Sequence, residues 1–207
     1  MLQELIRLLG IEDDDAHVRE RARRSTRIGD RYANVRLTNQ FGRSLRFHDH
    51  FVAGRALIAN TMYATCRDSC PVTSARLASL RKVLSPVFGD QLSIVSITLE
   101  PHLDTPEILH GYAEVYNANS RADNLCEWQF LTGHPDDVDR LRRSLGFYDL
   151  NPVIDRDPSQ HASLLLFGHG QTDRWAYLPA ELDEPLLIES IRRIAGVSFE
   201  QRYGIRP

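Results

Sequence analysis

An α/β fold, in which parallel strands joined by helices give way to an antiparallel pair, is predicted by three features of this 207-residue chain. Short runs of β-branched and aliphatic residues alternate with longer segments carrying leucine at helical spacing. Capping residues, early prolines and carboxylates stand at the junctions where helices should start. Near the C-terminus two strand-like runs follow one another with no helical segment between them, which places them side by side as a hairpin. A hydrophobic content of 42% in a chain of this length supports one buried core.

The elements follow in order. Residues 1 to about 27 alternate leucine and isoleucine with charge and then carry the basic run Arg19, Arg21, Arg23, Arg24 and Arg27, which reads as a short amphipathic helix in a solvated appendage over residues 1–30. Its apolar stretch, MLQELIRLLG, is too short and too interrupted for a signal peptide or a membrane span. Val35-Arg-Leu-Thr and Ser44-Leu-Arg-Phe47 alternate around Asn39-Gln-Phe-Gly42, a β-hairpin with glycine in its turn, serving as lid or edge. Arg55 to Tyr63 reads as a buried strand, and Val72 to Leu84 as a helix after Pro71.

Gln91 to Thr98 is a second buried strand by its β-branched content. Asp104-Thr-Pro-Glu107 supplies an N-cap, a proline and a carboxylate for a helix over Ile108 to Tyr116. Trp128-Gln-Phe-Leu131 is a short strand, and Asp136 to Leu145 a helix closed by Gly146. Ser163 to Phe167 pairs with Arg174-Trp-Ala-Tyr177, and Glu184 to Ala195 is the last helix, closed by Gly196. Hairpin, β, α, β, α, β, α, β, β, α over residues 31–207 is the thioredoxin arrangement, with an N-terminal hairpin extension and inserted segments.

Composition narrows the function. A net charge of -3 and a pI near 6.2 argue against nucleic acid or an anionic membrane surface as the main partner. Lys82 is the sole lysine, and the arginine excess carries no functional reading. Three cysteines are too few for a disulfide scaffold, so cysteine chemistry here should be local.

That chemistry is placed by Thr65-Cys-Arg-Asp-Ser-Cys-Pro71 at the junction of the first buried strand and its helix. Four positions apart on a turn, Cys66 and Cys70 fall within disulfide reach and can also pinch one metal ion. The helix N-terminus should lower the thiol pKa there, for Cys70 foremost and Cys66 with it. The bland alternative is two packed cysteines behaving as small hydrophobes.

The motif C-x-x-x-C-P, with Tyr63 and Thr65 upstream, resembles that of the Sco/SenC family of thioredoxin-like copper chaperones of cytochrome oxidase assembly. The resemblance extends to Asn39-Gln-Phe-Gly42, to Glu100-Pro-His-Leu-Asp-Thr-Pro106 and to a histidine ahead of Ala162-Ser-Leu-Leu-Leu-Phe167, spanning about residues 33 to 195. It implies that Cys66, Cys70 and His161 are copper ligands, that the partner is a protein acceptor such as a cytochrome oxidase subunit, and that the setting is the extracytoplasmic side of the cell envelope. Two sulfurs and one imidazole suit Cu(I) or Cu(II); zinc would want a fourth ligand. Here Arg67 replaces a frequent proline, Glu100 replaces an aspartate, and Asp155-Arg-Asp-Pro-Ser-Gln-His161 departs from the family's usual surroundings of the histidine.

Other residues read more plainly. His161 by itself would be a strand-edge histidine, and His169, between Gly168 and Gly170, a turn residue and the natural substitute for His161 as ligand. His48-Asp-His50 has two histidines on one strand face but no third ligand. His102 and His134 open helices, and Cys126 is a packed core thiol. Two functions remain in view: a copper chaperone transferring metal by ligand exchange, and a thiol:disulfide oxidoreductase in which Cys66 attacks and Cys70 resolves. A peroxidase reading fits poorly, since Pro71 follows the thiol instead of preceding it.

Overall fold

The computed structural model describes residues 26–120 and 125–205. Its strands are β1 (Arg36–Asn39), β2 (Ser44–Arg46), β3 (Ala56–Met62), β4 (Leu92–Thr98), β5 (Glu127–Thr132), β6 (Leu164–His169) and β7 (Arg174–Pro179). The helices are α1 (Ser69–Phe88), α2 (Pro106–Val115), α3 (Pro135–Ser144), α4 (Pro152–Asp155), α5 (Glu184–Ala195) and α6 (Phe199–Tyr203). The appendage expected over residues 1–30 lies, through residue 25, outside the described residues. From Arg27 the chain is docked on the β6–β7 turn: Arg27 donates to the Gln171 carbonyl, and the Ile28 and Gly29 N–H groups donate to Asp173 at 2.7 Å each.

One sheet orders the strands β2-β1-β5-β4-β3-β6-β7. β3, β4 and β5 are parallel, with Ile58 opposite Ile94 and Ile94 opposite Trp128. β6 runs antiparallel to β3, and β7 to β6. The leading hairpin joins the far side, β1 antiparallel to β5, so β2 is an edge strand and no lid over the thiols.

Both faces of β3 and β4 are covered, which is why these strands read as continuous apolar runs. Alternation sorts their side chains: Ile58, Met62 and Ile94 pack with Leu77, Leu80, Leu84 and Leu187 on one face. Leu57, Ala59, Val95 and Ile97 pack with Phe47, Phe51, Val138 and Leu141 on the other. No helix among the described residues is long and apolar enough to cross a membrane.

Several boundaries differ from the sequence reading. α1 begins at Ser69, not Val72, so Cys70 is helical and Pro71 sits in the first turn, where a missing N–H costs nothing because those groups have no intrahelical partner. It also continues past Pro86 to Phe88. The cap of α2 is Thr105, whose hydroxyl accepts from the Ile108 N–H, while Asp104 is fully buried and does other work. His48–Val52 is a π-helical turn, not strand, so the two histidines share no strand face. Gly196 has an ordinary φ of -70°; glycine is needed there because a Cβ would stand 2.4 Å from the Arg192 carbonyl. The segment from Gly146 to β6, to which the sequence reading assigns no element, holds α4 and a 3-10 turn over Pro158–Gln160.

Candidate metal centre

The thiols lie where β3 ends. Past Met62, whose carbonyl accepts from the Leu99 N–H at 2.8 Å, the chain turns so that the Cys66 N–H donates to the Tyr63 carbonyl at 3.2 Å. Two side chains of the β4–α2 connection hold this turn: Asp104 accepts from the Ala64 N–H at 3.1 Å, and Glu100 accepts from the Thr65 hydroxyl at 3.1 Å. Cys70 follows on the first turn of α1. Both cysteines are buried free thiols, Cys66 at 7% and Cys70 at 2% exposure.

The pair is electrostatically asymmetric. Burial raises the Cys66 thiol, but hydrogen bonds from Cys70, from the Asp68 and Cys70 backbone and from the Tyr63 hydroxyl outweigh it, and the net shift is downward. Burial pushes Cys70 up to about 12, and ionised Cys66 beside it adds to the rise. The expectation that the helix N-terminus lowers Cys70 foremost is therefore corrected: Cys66 is the thiol shifted downward and Cys70 the one shifted upward, because Cys70 is too deeply enclosed for the dipole to prevail. Tyr63 shifts to about 12, first through burial and then through its bond to Cys66. Its hydroxyl was the part of the site that sequence reasoning missed. The signal was a tyrosine, with a donor, three positions before Cys66.

His161 arrives from the opposite side, on the extended residue between the 3-10 turn and β6. Its Nδ1 lies against the Pro158 carbonyl. A carbonyl only accepts, so Nδ1 carries the hydrogen and Nε2 presents its lone pair. That Nε2 stands 3.8 Å from the Cys70 Sγ, and the Tyr63 ring packs edge-on against the imidazole at 5.9 Å between centroids. Cys66, Cys70 and His161 thus meet at one end of the sheet. Among the described residues no group of three or more His, Cys, Asp or Glu side chains stands close enough, as the side chains lie here, to hold a metal ion.

The other candidates lie elsewhere. His169 is buried at the far end of the sheet, paired with Ala56 at the start of β3, its Nδ1 accepting from the Gln171 N–H. It cannot substitute for His161. His50 faces Glu127 at 3.7 Å, His134 caps α3, and His102 lines a cavity beside His161. Cys126 precedes β5, at the level where β3 begins, and at about 3.3 Å per strand residue this is about 20 Å from the thiol pair. Burial raises its thiol and keeps it inert. Peptide mapping of the oxidised protein under non-reducing conditions is accordingly expected to find a Cys66–Cys70 disulfide and free Cys126; a bridge to Cys126 would overturn this arrangement.

Comparison with known proteins bears on the fold and the family. A protein of Stutzerimonas stutzeri, provisionally named as copper-binding, is 31% identical over 100 residues, a match spanning 48% of this chain and 45% of that one. Bradyrhizobium japonicum ScoI with copper bound superposes with a TM-score of 0.61 at 17% identity, over 79% of this chain and 98% of that one. BsSco, described with a disulfide switch and as a member of the Sco family of cytochrome c oxidase assembly proteins, gives 0.61 at 19% identity, over 81% and 95%. At these identities the structural likeness shows the thioredoxin-like fold. The SCO1/SenC family model matches residues 21–196, most of the chain including both thiols and His161, and the chain belongs to that family.

Proposed function

We propose that this protein is a copper-binding metallochaperone that holds one copper ion between Cys66, Cys70 and His161 and passes it by ligand exchange to an acceptor protein, such as a copper site of cytochrome oxidase. The observation that carries the reading is the His161 Nε2 lone pair aimed at the Cys70 sulfur across 3.8 Å. With metal–sulfur and metal–nitrogen bonds of about 2.3 and about 2.0 Å, an angle near 120° at the metal places the two ligand atoms about 3.7 Å apart. The observed Cys70–His161 spacing therefore suits two ligands of one metal ion. Thiolates favour Cu(I) and the imidazole helps retain Cu(II). Copper bound to ScoI and the cytochrome oxidase role printed for BsSco's family point the same way.

The test is copper titration of the reduced protein with and without His161. Wild type is expected to bind one copper. His161→Ala should lower Cu(II) affinity by about 100-fold or more, since changes behind a ligand already cost about 10- to 100-fold, and should lower Cu(I) affinity less. Unchanged Cu(II) affinity in His161→Ala would refute the ligand set.

One observation favours a second reading. A lowered Cys66 beside a raised Cys70 is the division of labour of a thiol:disulfide oxidoreductase. The Cys66 thiolate would attack a partner disulfide, and Cys70 would resolve the mixed disulfide, leaving the partner as two thiols and this chain as Cys66–Cys70 disulfide.

A further inference from the structure

The strap carrying His161, from Phe147 to Ala162, has little core of its own. A cavity of about 530 Å³ separates it from α3 and the β4–α2 connection, bounded by Leu99, Val138, Phe147, Ile154 and Leu164 and opening beside His161. Beyond Phe147, which is buried with Val138 and Leu141, the apolar packing that fixes most connections of this length is sparse: Leu150 is 90% and Val153 76% exposed.

Polar contacts take its place, and they form a series. The Asn151 side chain accepts from the Val153 N–H and opens α4. Asp155 ends that helix, and the Asp157 N–H donates back to the Ile154 carbonyl. The Asp157 side chain accepts from the Ser159 N–H and opens the 3-10 turn, whose first carbonyl, Pro158, takes the His161 Nδ1 hydrogen. All of these bonds are local, so together they shape the strap without placing it against the rest of the protein.

One side chain ties the series down. The Asp155 carboxylate, only 3% exposed, accepts a two-pronged bond from Arg142 at 2.6 and 2.9 Å, a bond from Arg143, and one from the Asp149 N–H at 3.0 Å. The Arg142 bonds foremost hold its carboxyl well below the usual carboxylate range. Arg142 also donates to the Phe147 carbonyl at the strap's start. Both arginines sit on α3, which is packed on the sheet through Val138 and Leu141.

We infer that Asp155 is a positioning residue for the metal site: its clamp on Arg142 and Arg143 of α3 sets the strap at the height and orientation that aim His161 Nε2 at the thiols. This rests on the proposed ligand role of His161. The clamp acts behind a ligand and touches neither thiol, so the thiol pair should react normally without it.

The test compares Asp155→Asn with Asp139→Asn. Asp139 pairs with the same two arginines at 2.6 and 2.8 Å but touches no strap residue through those bonds, so it controls for loss of charge. In Asp155→Asn, Cu(II) affinity is expected to fall about 10- to 100-fold, the range for losing a ligand's outer support. Disulfide formation between Cys66 and Cys70 should keep its wild-type rate. In the copper-free protein, NMR contacts between the His161 and Tyr63 rings, which pack at 5.9 Å between centroids, should weaken, while the local bond to the Pro158 carbonyl keeps the Nδ1–H tautomer; a general loss of stability would not separate the two. Asp139→Asn should leave the copper affinity, the disulfide rate and the ring contacts unchanged. If Asp155→Asn does not fold, Arg143→Gln, at a side chain 46% exposed, should show the same pattern at a few-fold. Wild-type ring contacts and Cu(II) affinity in the folded variant would overturn the inference, as would equal effects in Asp139→Asn. Because the ring contacts are read without copper, they decide the clamp even if His161→Ala shows that the imidazole is no ligand.

Discussion

Cys66→Ser and Cys70→Ser should each abolish tight copper binding. A serine hydroxyl is a hard donor that stays protonated at neutral pH, so either variant leaves one thiol and one imidazole, a site little better than two adjacent surface ligands. The expected loss is at least about three orders of magnitude, equivalent to about 4 kcal/mol. The two variants should differ in detail. Cys66→Ser removes the sulfur that ionises more readily and also relieves Cys70 of the neighbour that raises it. Cys70→Ser removes the sulfur facing His161 and places a hydroxyl within reach of the Nε2 lone pair. Competition titration of the reduced proteins against a copper chelator, with circular dichroism to confirm folding, measures both. Wild-type affinity in either single variant would refute a shared site.

What could be read from the sequence divides along a physical line. Periodicity and β-branched content are properties of each segment, and the strands around Ile58, Ile94 and Leu165 stand where those patterns put them. Cys66 and Cys70 were legible for the same reason, being four positions apart at a strand-to-helix junction. His161 required the family resemblance, because only the crossing of the strap brings it across 91 positions to Cys70.

Burial decided what could not be read. Asp104 in the series Asp-Thr-Pro-Glu has the signature of a cap, yet the cap falls one residue later and its carboxylate turns inward. Arg81 stands beside the exposed Lys82 on the same helix, but its side chain is buried among three carbonyls, of Asn117, Ser120 and Cys126, at 2.8 to 2.9 Å. The order of the two thiol pKa values is likewise set by depth, which no local pattern encodes.

Asp104→Ala should be among the most destabilising polar truncations in the molecule, and Asp104→Asn close to neutral. The carboxylate is fully enclosed, takes the hydrogen of the Thr98 hydroxyl, and accepts the Ala64 N–H that holds the Cys66 turn. Alanine strips both donors of their acceptor, the Thr98 hydroxyl in the buried interior and the Ala64 N–H at the half-buried turn. At about 1–3 kcal/mol for each stranded group, the cost is about 2–6 kcal/mol. It should also loosen the turn carrying Cys66, weakening copper binding in proportion. Asparagine keeps the shape: its carbonyl oxygen can stand in for the one carboxylate oxygen that accepts from both the Ala64 N–H and the Thr98 hydroxyl.

The pH dependence separates charge from shape. Burial, partly offset by the bonds from Thr98 and Ala64, raises the Asp104 carboxyl above its ordinary value. The folded protein therefore holds this proton more readily than the unfolded chain. Between the unfolded and folded values stability falls as pH rises, because ionisation is easier once the chain unfolds, and above that window the cost is constant. Asp104→Asn carries no such charge. Its stability relative to wild type should thus improve as pH rises through the window above the ordinary carboxylate value and level off toward neutrality. Denaturant unfolding of wild type, Asp104→Asn and Asp104→Ala from about pH 4 to 7 reads both effects. If Asp104→Ala costs under about 1 kcal/mol, the scale of a surface change, then the tie between Asp104 and the Cys66 turn does not hold the site together.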